Sequence, residues 1–174
     1  MNLYLRLLWL FIRLPWIAKQ SDPLAPAILH MRVMPNDLDI YLHVNNGRYL
    51  TLMDLGRMHL MAATRLIKPL QKKRWAPLLG SVKVHFIRSL KVFEKFTQTT
   101  QVIYWDEKWI YIEQKIIKGE TLCAVALMKI LFIGKEGKIA PDAIMQLASD
   151  PKPRPPMPDR VAHWMEIEKN SKEG

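Results

Sequence analysis

Four stretches of strand character occupy residues 78–88, 96–105, 109–117 and 121–133, and only short links separate them. Links of that length cannot hold the crossover helices that parallel neighbours need, so these strands should pair antiparallel. The junctions WDEKW and IKGET carry turn-forming residues, and Gly119 suits a tight turn. One further strand, residues 27–35 (AILHMRVMP), precedes them, followed by one long helix over residues 47–66. In that helix Leu50, Met53, Leu60 and Met61 recur at the three- and four-residue spacing of a helical face. Its apolar surface is wider than a solvent-facing helix carries. One strand, one helix and four strands predict an α+β fold, a five-stranded antiparallel sheet wrapped around a single central helix.

The flanks are less regular. KPLQKKRWAP reads as a connector between the helix and the four strands, and Pro141 opens a short helix through Ala148. SDPKPRPPMPD is an extended, proline-rich stretch, and RVAHWMEIEKN predicts a terminal helix. The expected organisation is an N-terminal amphipathic helix in residues 1–20, a domain over residues 27–150, and a proline-rich segment with a C-terminal tail over residues 151–174.

Residues 1–20 are strongly apolar, yet Arg6 and Arg13 interrupt them, and the uncharged run between is far below the ~20 residues of a spanning helix. Seven residues apart, the two arginines fall on one helical stripe, with Asn2 near the same line. Trp9 and Trp16 flank the stripe, Phe11, Ile12 and the leucines cover the rest, and Pro15 should bend or end the helix. This is the pattern of a helix lying in a bilayer interface, and it predicts peripheral attachment to a membrane surface. A helix packed on the protein's own body is the alternative.

The formal charge of +10 raises the question of nucleic acid. The basic residues are spread along the chain, however, with one dense run at Lys72, Lys73 and Arg74, and no zinc-finger or RNA-binding motif accompanies them. No nucleic-acid partner is expected. A single cysteine, Cys123, excludes an internal disulfide framework and fits a cytoplasmic protein. The five histidines are scattered, so no metal site is expected, and no cofactor is called for.

The chemistry concentrates in NDLDIYLHVNNGRYL, residues 36–50. Asn45 is a natural N-cap for the helix behind it. The free amides of that helix start, together with the positive end of the macrodipole, would face whatever lies in front. A carboxylate close to such donors supplies a base or nucleophile and a site for a developing oxyanion, the pair of ingredients that attack on an acyl carbon requires.

Residues 37–49 follow the order D-x-D, H-V-N-N, x-x-Y, which resembles the hot-dog fold thioesterases. In this stretch the chain is similar to the plant acyl-carrier-protein thioesterases and to the 4-hydroxybenzoyl-CoA thioesterase-like branch. Over most of residues 28–165 its nearest likeness is to the thioesterase superfamily member six-like proteins, with which it also shares Arg88–Lys91 and a late His163–Trp164 pair.

The resemblance implies a hot-dog domain that forms homodimers or dimers of dimers, with acyl-thioester sites at the subunit interface. It assigns the catalytic carboxylate to Asp39, acting as general base or nucleophile, a supporting hydrogen bond to His43, and the oxyanion donor to the Asn46 amide. Tyr41, Asn45, Tyr49, Arg88 and Lys91 become candidates for binding substrate, the two cations because coenzyme A carries phosphates. Asp54 and Arg57, three apart, are expected to form an ion pair within the helix. The implied substrate is an acyl-CoA or an acyl-carrier protein, hydrolysed to a free acid and a thiol. One departure stands out: the plant enzymes carry asparagine where this chain has Tyr41. That leaves as the alternative a weak or inactive hot-dog domain that binds acyl groups or scaffolds a partner at a membrane.

Overall fold

A computed structural model describes residues 3–13 and 16–170 of the chain. Strands β1 (Ala27–Arg32), β2 (Ala76–Phe86), β3 (Lys95–Trp105), β4 (Ile110–Lys118) and β5 (Thr121–Gly134) form an antiparallel sheet in the order β1-β3-β4-β5-β2. A short β6 (Gly137–Ile139) folds back on β5. The expected curled α+β sheet is therefore present, and the three-residue β6 is an addition too short for any periodicity to announce.

The central helix, α2, spans Asn46–Ala63. Asn45 caps it, its side-chain oxygen accepting the Gly47 amide at 2.9 Å. At the other end Thr64 Oγ1 donates to the Leu60 carbonyl and Arg65 turns left-handed (φ 61°), which breaks the helical ladder. Tyr49, Leu52, Met53 and Leu55 pack into one core with Phe96, Ile116, Ala124, Ala126 and Met128 of the sheet. The approach is closest at Gly56, where a side chain would run into Gln98 and Thr100 on β3.

Adjacent strand residues alternate between the two faces, and the packing follows that alternation. Ile112 lies in the core beneath α2, while its neighbour Tyr111 joins Val161 and Trp164 of α5 (Asp159–Asn170). On that second face Lys129 sits over the Trp109 and Trp164 rings and pairs with Glu168.

Residues 68–73, expected as part of a connector, belong to a short helix, α3 (Ile67–Lys73). Pro69 is tolerated there because the first turn makes no use of its missing amide, and buried Leu70 anchors the segment. A further single-turn helix, α4 (Pro141–Met145), ends three residues before the expected limit.

The N-terminal helix, α1 (Leu3–Arg13), corrects one expectation. Arg6 does not share an outward stripe with Arg13. It is 7% exposed and turned into the protein, with Leu10 buried beside it. The i, i+7 spacing is satisfied by a helix turned either way, and a buried carboxylate decides between them. Asn2 and Pro15, expected to extend the stripe and end the helix, lie outside the described residues.

Candidate active site

Asp37 and Asp39 open a small hairpin between β1 and α2. A single-turn 3-10 helix, Pro35–Asp37, leads into it, and Leu38 and Val44 pair across it. Asp39 donates its amide to the His43 carbonyl (2.9 Å), and Leu42 donates back to the Asp39 carbonyl (3.1 Å) with a left-handed φ of 59°. The Asp39 carboxylate accepts the Tyr41 amide through Oδ1 at 2.9 Å, the geometry of an Asx turn. Its second oxygen takes no hydrogen bond among the described residues.

The hairpin is tied down on both sides. Val44 donates to the Leu90 carbonyl, and His43 pairs with Lys91, so the segment that follows β2 is joined to the hairpin. Asn45 donates its amide to the Asp37 carbonyl at 2.9 Å. Its side chain is spent on capping α2, as a helix start predicts. Behind it the Asn46 amide, at the first position of α2, gives its hydrogen to no acceptor among the described residues. A free donor at the positive end of an 18-residue helix is a ready site for developing negative charge.

The structure thus brings Asp39, His43, Asn45, Asn46 and Lys91 into one loop cluster, with exposed Arg88 three residues upstream of Lys91 on the same segment. His43 and Asp39 meet through their backbones, and among the described residues the imidazole makes no hydrogen bond to the carboxylate. Tyr41 is exposed at the hairpin tip beside Ile40 and Leu42. Tyr49 is 2% exposed: it packs edge-on against Phe86, and burial raises its phenol pKa against the opposing pull of the Leu90 backbone. In the single chain its work is to seat the first turn of α2.

Two features of the site had no role in the sequence reading. The first is Asp37, fully buried and the most densely bonded carboxylate of the loop. Its Oδ2 accepts from Arg6 at 2.5 Å and from the Met34 amide at 2.8 Å, and its Oδ1 accepts from Arg48 at 2.9 Å. The D-x-D spacing pointed to this residue but not to its cationic partners.

The second is a cavity of about 360 Å³ along the later turns of α2, lined by Leu60, Met61, Leu79, Ile112, Ile130 and Met145 among others. That volume falls within the usual range of small-molecule pockets, and its walls are almost wholly apolar. Asp54 and Arg57 supply its polar edge and form the expected ion pair. Arg57 also donates to Gln114 Oε1 (3.0 Å), and burial brings its pKa down to about 10. Asp39 is not among the residues lining this cavity.

Residues 33–165 match the family model of the thioesterase-like superfamily. The chain belongs to that superfamily. It is a thioester hydrolase by class, with the hot-dog fold of that group. It is 28% identical to Protein THEM6 of Xenopus laevis over 173 residues, covering 94% of this chain and 82% of that protein. A probable thioesterase of Escherichia coli, YbaW, superposes with a TM-score of 0.66 at 20% identity, covering 72% of this chain and 99% of the other. SAV2348 of Staphylococcus aureus, solved in complex with CoA, gives 0.62 at 13% identity, covering 82% and 96% respectively.

Proposed function

We propose that this hot-dog protein hydrolyses acyl-CoA thioesters, with Asp39 as the reacting carboxylate and the Asn46 amide as the oxyanion donor. The observation that carries the reading is the pairing, on the hairpin and the helix start that follows it, of a carboxylate oxygen and an amide that have no hydrogen-bond partner among the described residues. Asp39 acts as base on a water or attacks the carbonyl itself. In either course negative charge gathers on the thioester oxygen, where the α2 dipole and the amide stabilise it. The thiol leaves as coenzyme A once the carbon–sulfur bond breaks.

Family membership and the CoA bound to SAV2348 support coenzyme A as the carrier. Arg88 and Lys91, exposed beside the hairpin, are placed to pair with its phosphates. The apolar cavity beside α2 suits an acyl tail.

A second copy of the chain completes this assignment. Among the described residues β2 pairs with β5 alone, which leaves its other edge without a strand, and Leu78, Leu79, Phe86 and Ile87 are exposed along or just beyond it. A long apolar edge of this kind demands a partner. Ile40, Tyr41 and Leu42 at the hairpin tip, 87%, 75% and 70% exposed, demand one too. Pairing along β2 would cover both.

The outer face of α1 supports peripheral membrane attachment. Tyr4, Leu5, Leu8, Trp9, Phe11 and Ile12 all face outward, with the Arg13 guanidinium over the Trp9 ring at 4.5 Å. Such a face suits insertion at the boundary between headgroups and acyl chains. No helix among the described residues is long and apolar enough to cross a membrane.

The test is hydrolysis of a panel of acyl-CoAs by the purified chain and by Asp39→Asn. Turnover should fall about 10²–10⁴-fold in the variant, the usual contribution of a positioned base. Unchanged turnover removes Asp39 from the chemistry. Tight acyl-CoA binding without hydrolysis by the wild type would favour an acyl-binding protein, a reading to which the separation of Asp39 from the cavity lends weight.

A further inference from the structure

The buried contact between α1 and the Asp37 carboxylate joins a segment outside the matched thioesterase region, residues 33–165, to the loop that carries the proposed chemistry. Arg6 Nη2 reaches Asp37 Oδ2 at 2.5 Å and the Arg32 carbonyl at 3.2 Å, tying α1 both to the hairpin and to the end of β1. Its other terminal nitrogen, Nη1, is buried without an acceptor among the described residues. An exposed ion pair on a flexible tail would leave such a donor to water, so this guanidinium is committed to one place. Leu10 is buried on the same side of the helix, and Leu7 packs against the main core.

What Asp37 holds gives the contact its meaning. Through Oδ1 it grips Arg48 in the first turn of α2, two residues beyond the Asn46 amide. Through its carbonyl it accepts the Asn45 amide, and two residues along the chain stands Asp39. The carboxylate lies where the hairpin and the helix start meet, with one oxygen turned to each arginine. Arg6 is therefore one of two cations that balance a buried anion, and the one supplied from outside the domain. A charge so deeply buried keeps its place only while it is paired.

We infer that Arg6 is a positioning residue: through Asp37 it fixes the angle between the hairpin bearing Asp39 and the start of α2 bearing the Asn46 amide. The inference rests on the catalytic roles proposed above for those two groups. It also gives α1 a double face. The outward residues are free to meet a membrane, while the inward arginine keys the helix to the reacting loop, so the angle of the loop depends on how α1 is seated.

The experiment uses the full chain with Arg6→Met, which keeps most of the apolar stem and removes the guanidinium, and Arg6→Lys, which keeps a charge but replaces the planar guanidinium with a compact, more strongly hydrated ammonium on a shorter side chain. Two readings are taken: hydrogen exchange at the amides of residues 38–45, and kcat and KM for an acyl-CoA that the wild type hydrolyses. Arg6→Met should speed exchange across residues 38–45. It should lower kcat by about 10²-fold, the cost of misplacing reacting groups by about 1 Å, while KM stays within a few-fold of the wild type. Arg6→Lys should fall between the two, and it carries the test alone if Arg6→Met does not fold.

Unchanged exchange overturns the clamp, because the loop is then held without Arg6. Faster exchange with unchanged kcat overturns the positioning role and leaves Arg6 architectural. A wild type that hydrolyses no acyl-CoA defeats the Asp39 reading and the positioning role with it. An active wild type matched by Arg6→Met in kcat defeats the positioning role alone.

Discussion

Gly56→Ala is the sharpest stability test of how α2 sits in the sheet. Gly56 is buried against β3, and an added Cβ would lie 2.7 Å from both Gln98 Cδ and Thr100 Oγ1, and nearer still to Gln98 Nε2. Gln98 cannot swing away cheaply. It has no exposed surface, and its Nε2 donates to the Met53 carbonyl at 3.4 Å. Overfilling a packed core of this kind costs about 1–3 kcal/mol, and loss of the Gln98 bond adds about 1 kcal/mol. Alanine returns about 1 kcal/mol through its helix propensity. The net expectation is a loss of about 2 kcal/mol, equivalent to a fall in Tm of about 4–8 °C for a domain of this size. Denaturant unfolding should show a lower midpoint with the same m-value. Combining Gly56→Ala with Gln98→Ala should restore part of the loss, with a coupling of at least about 1 kcal/mol, since the two sites are in contact. A stabilised Gly56→Ala would mean that α2 stands further from β3 than described, and the close-packing account of the core would fail.

Two further outcomes follow from the structure. His59, on α2, has its pKa lowered by burial, and the Arg13 charge pushes the same way against a hydrogen bond to the Ile28 backbone. The unfolded chain therefore takes up this proton more readily than the folded one, so stability falls as pH drops below about 6.5 toward the folded value. Thermal unfolding at pH 7.5 and pH 5.5 should show a larger acid loss for the wild type than for His59→Gln, and parallel losses would exclude His59 as a source. On α1, Leu5→Glu combined with Leu8→Glu and Ile12→Glu should abolish co-sedimentation with anionic vesicles. Because all three side chains point outward, the folded domain should lose little stability. Retained binding would remove this face as the membrane contact.

The sheet was legible because its strands declare themselves locally. The alternation around Ile110, Tyr111 and Ile112, apolar on both faces, already describes strands covered on each side, and Gly119 marks the turn between β4 and β5. The helix start was legible for the same reason: Asn45 caps it with its own side chain, which needs nothing from elsewhere in the fold. α3 was not legible, since a proline and three lysines conceal one buried leucine. Nor was the direction of Arg6. Its spacing from Arg13 predicts one shared outward stripe, but Asp37, a residue 31 positions away, turns Arg6 inward while Arg13 stays exposed. The apolar cavity is likewise assembled from α2, several strands and α4, and no contiguous stretch of sequence carries its pattern.

What remains is the separation of the proposed reacting carboxylate from the cavity, and the fold gives a reason for it. The hairpin is sewn to residues 90 and 91, which leave the end of β2, and Phe86 at that end packs on Tyr49 in the first turn of α2. The hairpin bearing Asp39, the helix start bearing the Asn46 amide and the outer edge of β2 are therefore one connected structure. Leu79 of that edge also lines the apolar cavity beside α2. An element laid along β2 would border the cavity and the Asp39 hairpin at once, joining two features that a single chain holds apart. In the dimer proposed above, a second copy would supply such an element in its own β2. In the proposed dimer the exposed tip at Ile40, Tyr41 and Leu42 would then be covered, and tyrosine at position 41 would serve contact with the partner more than chemistry.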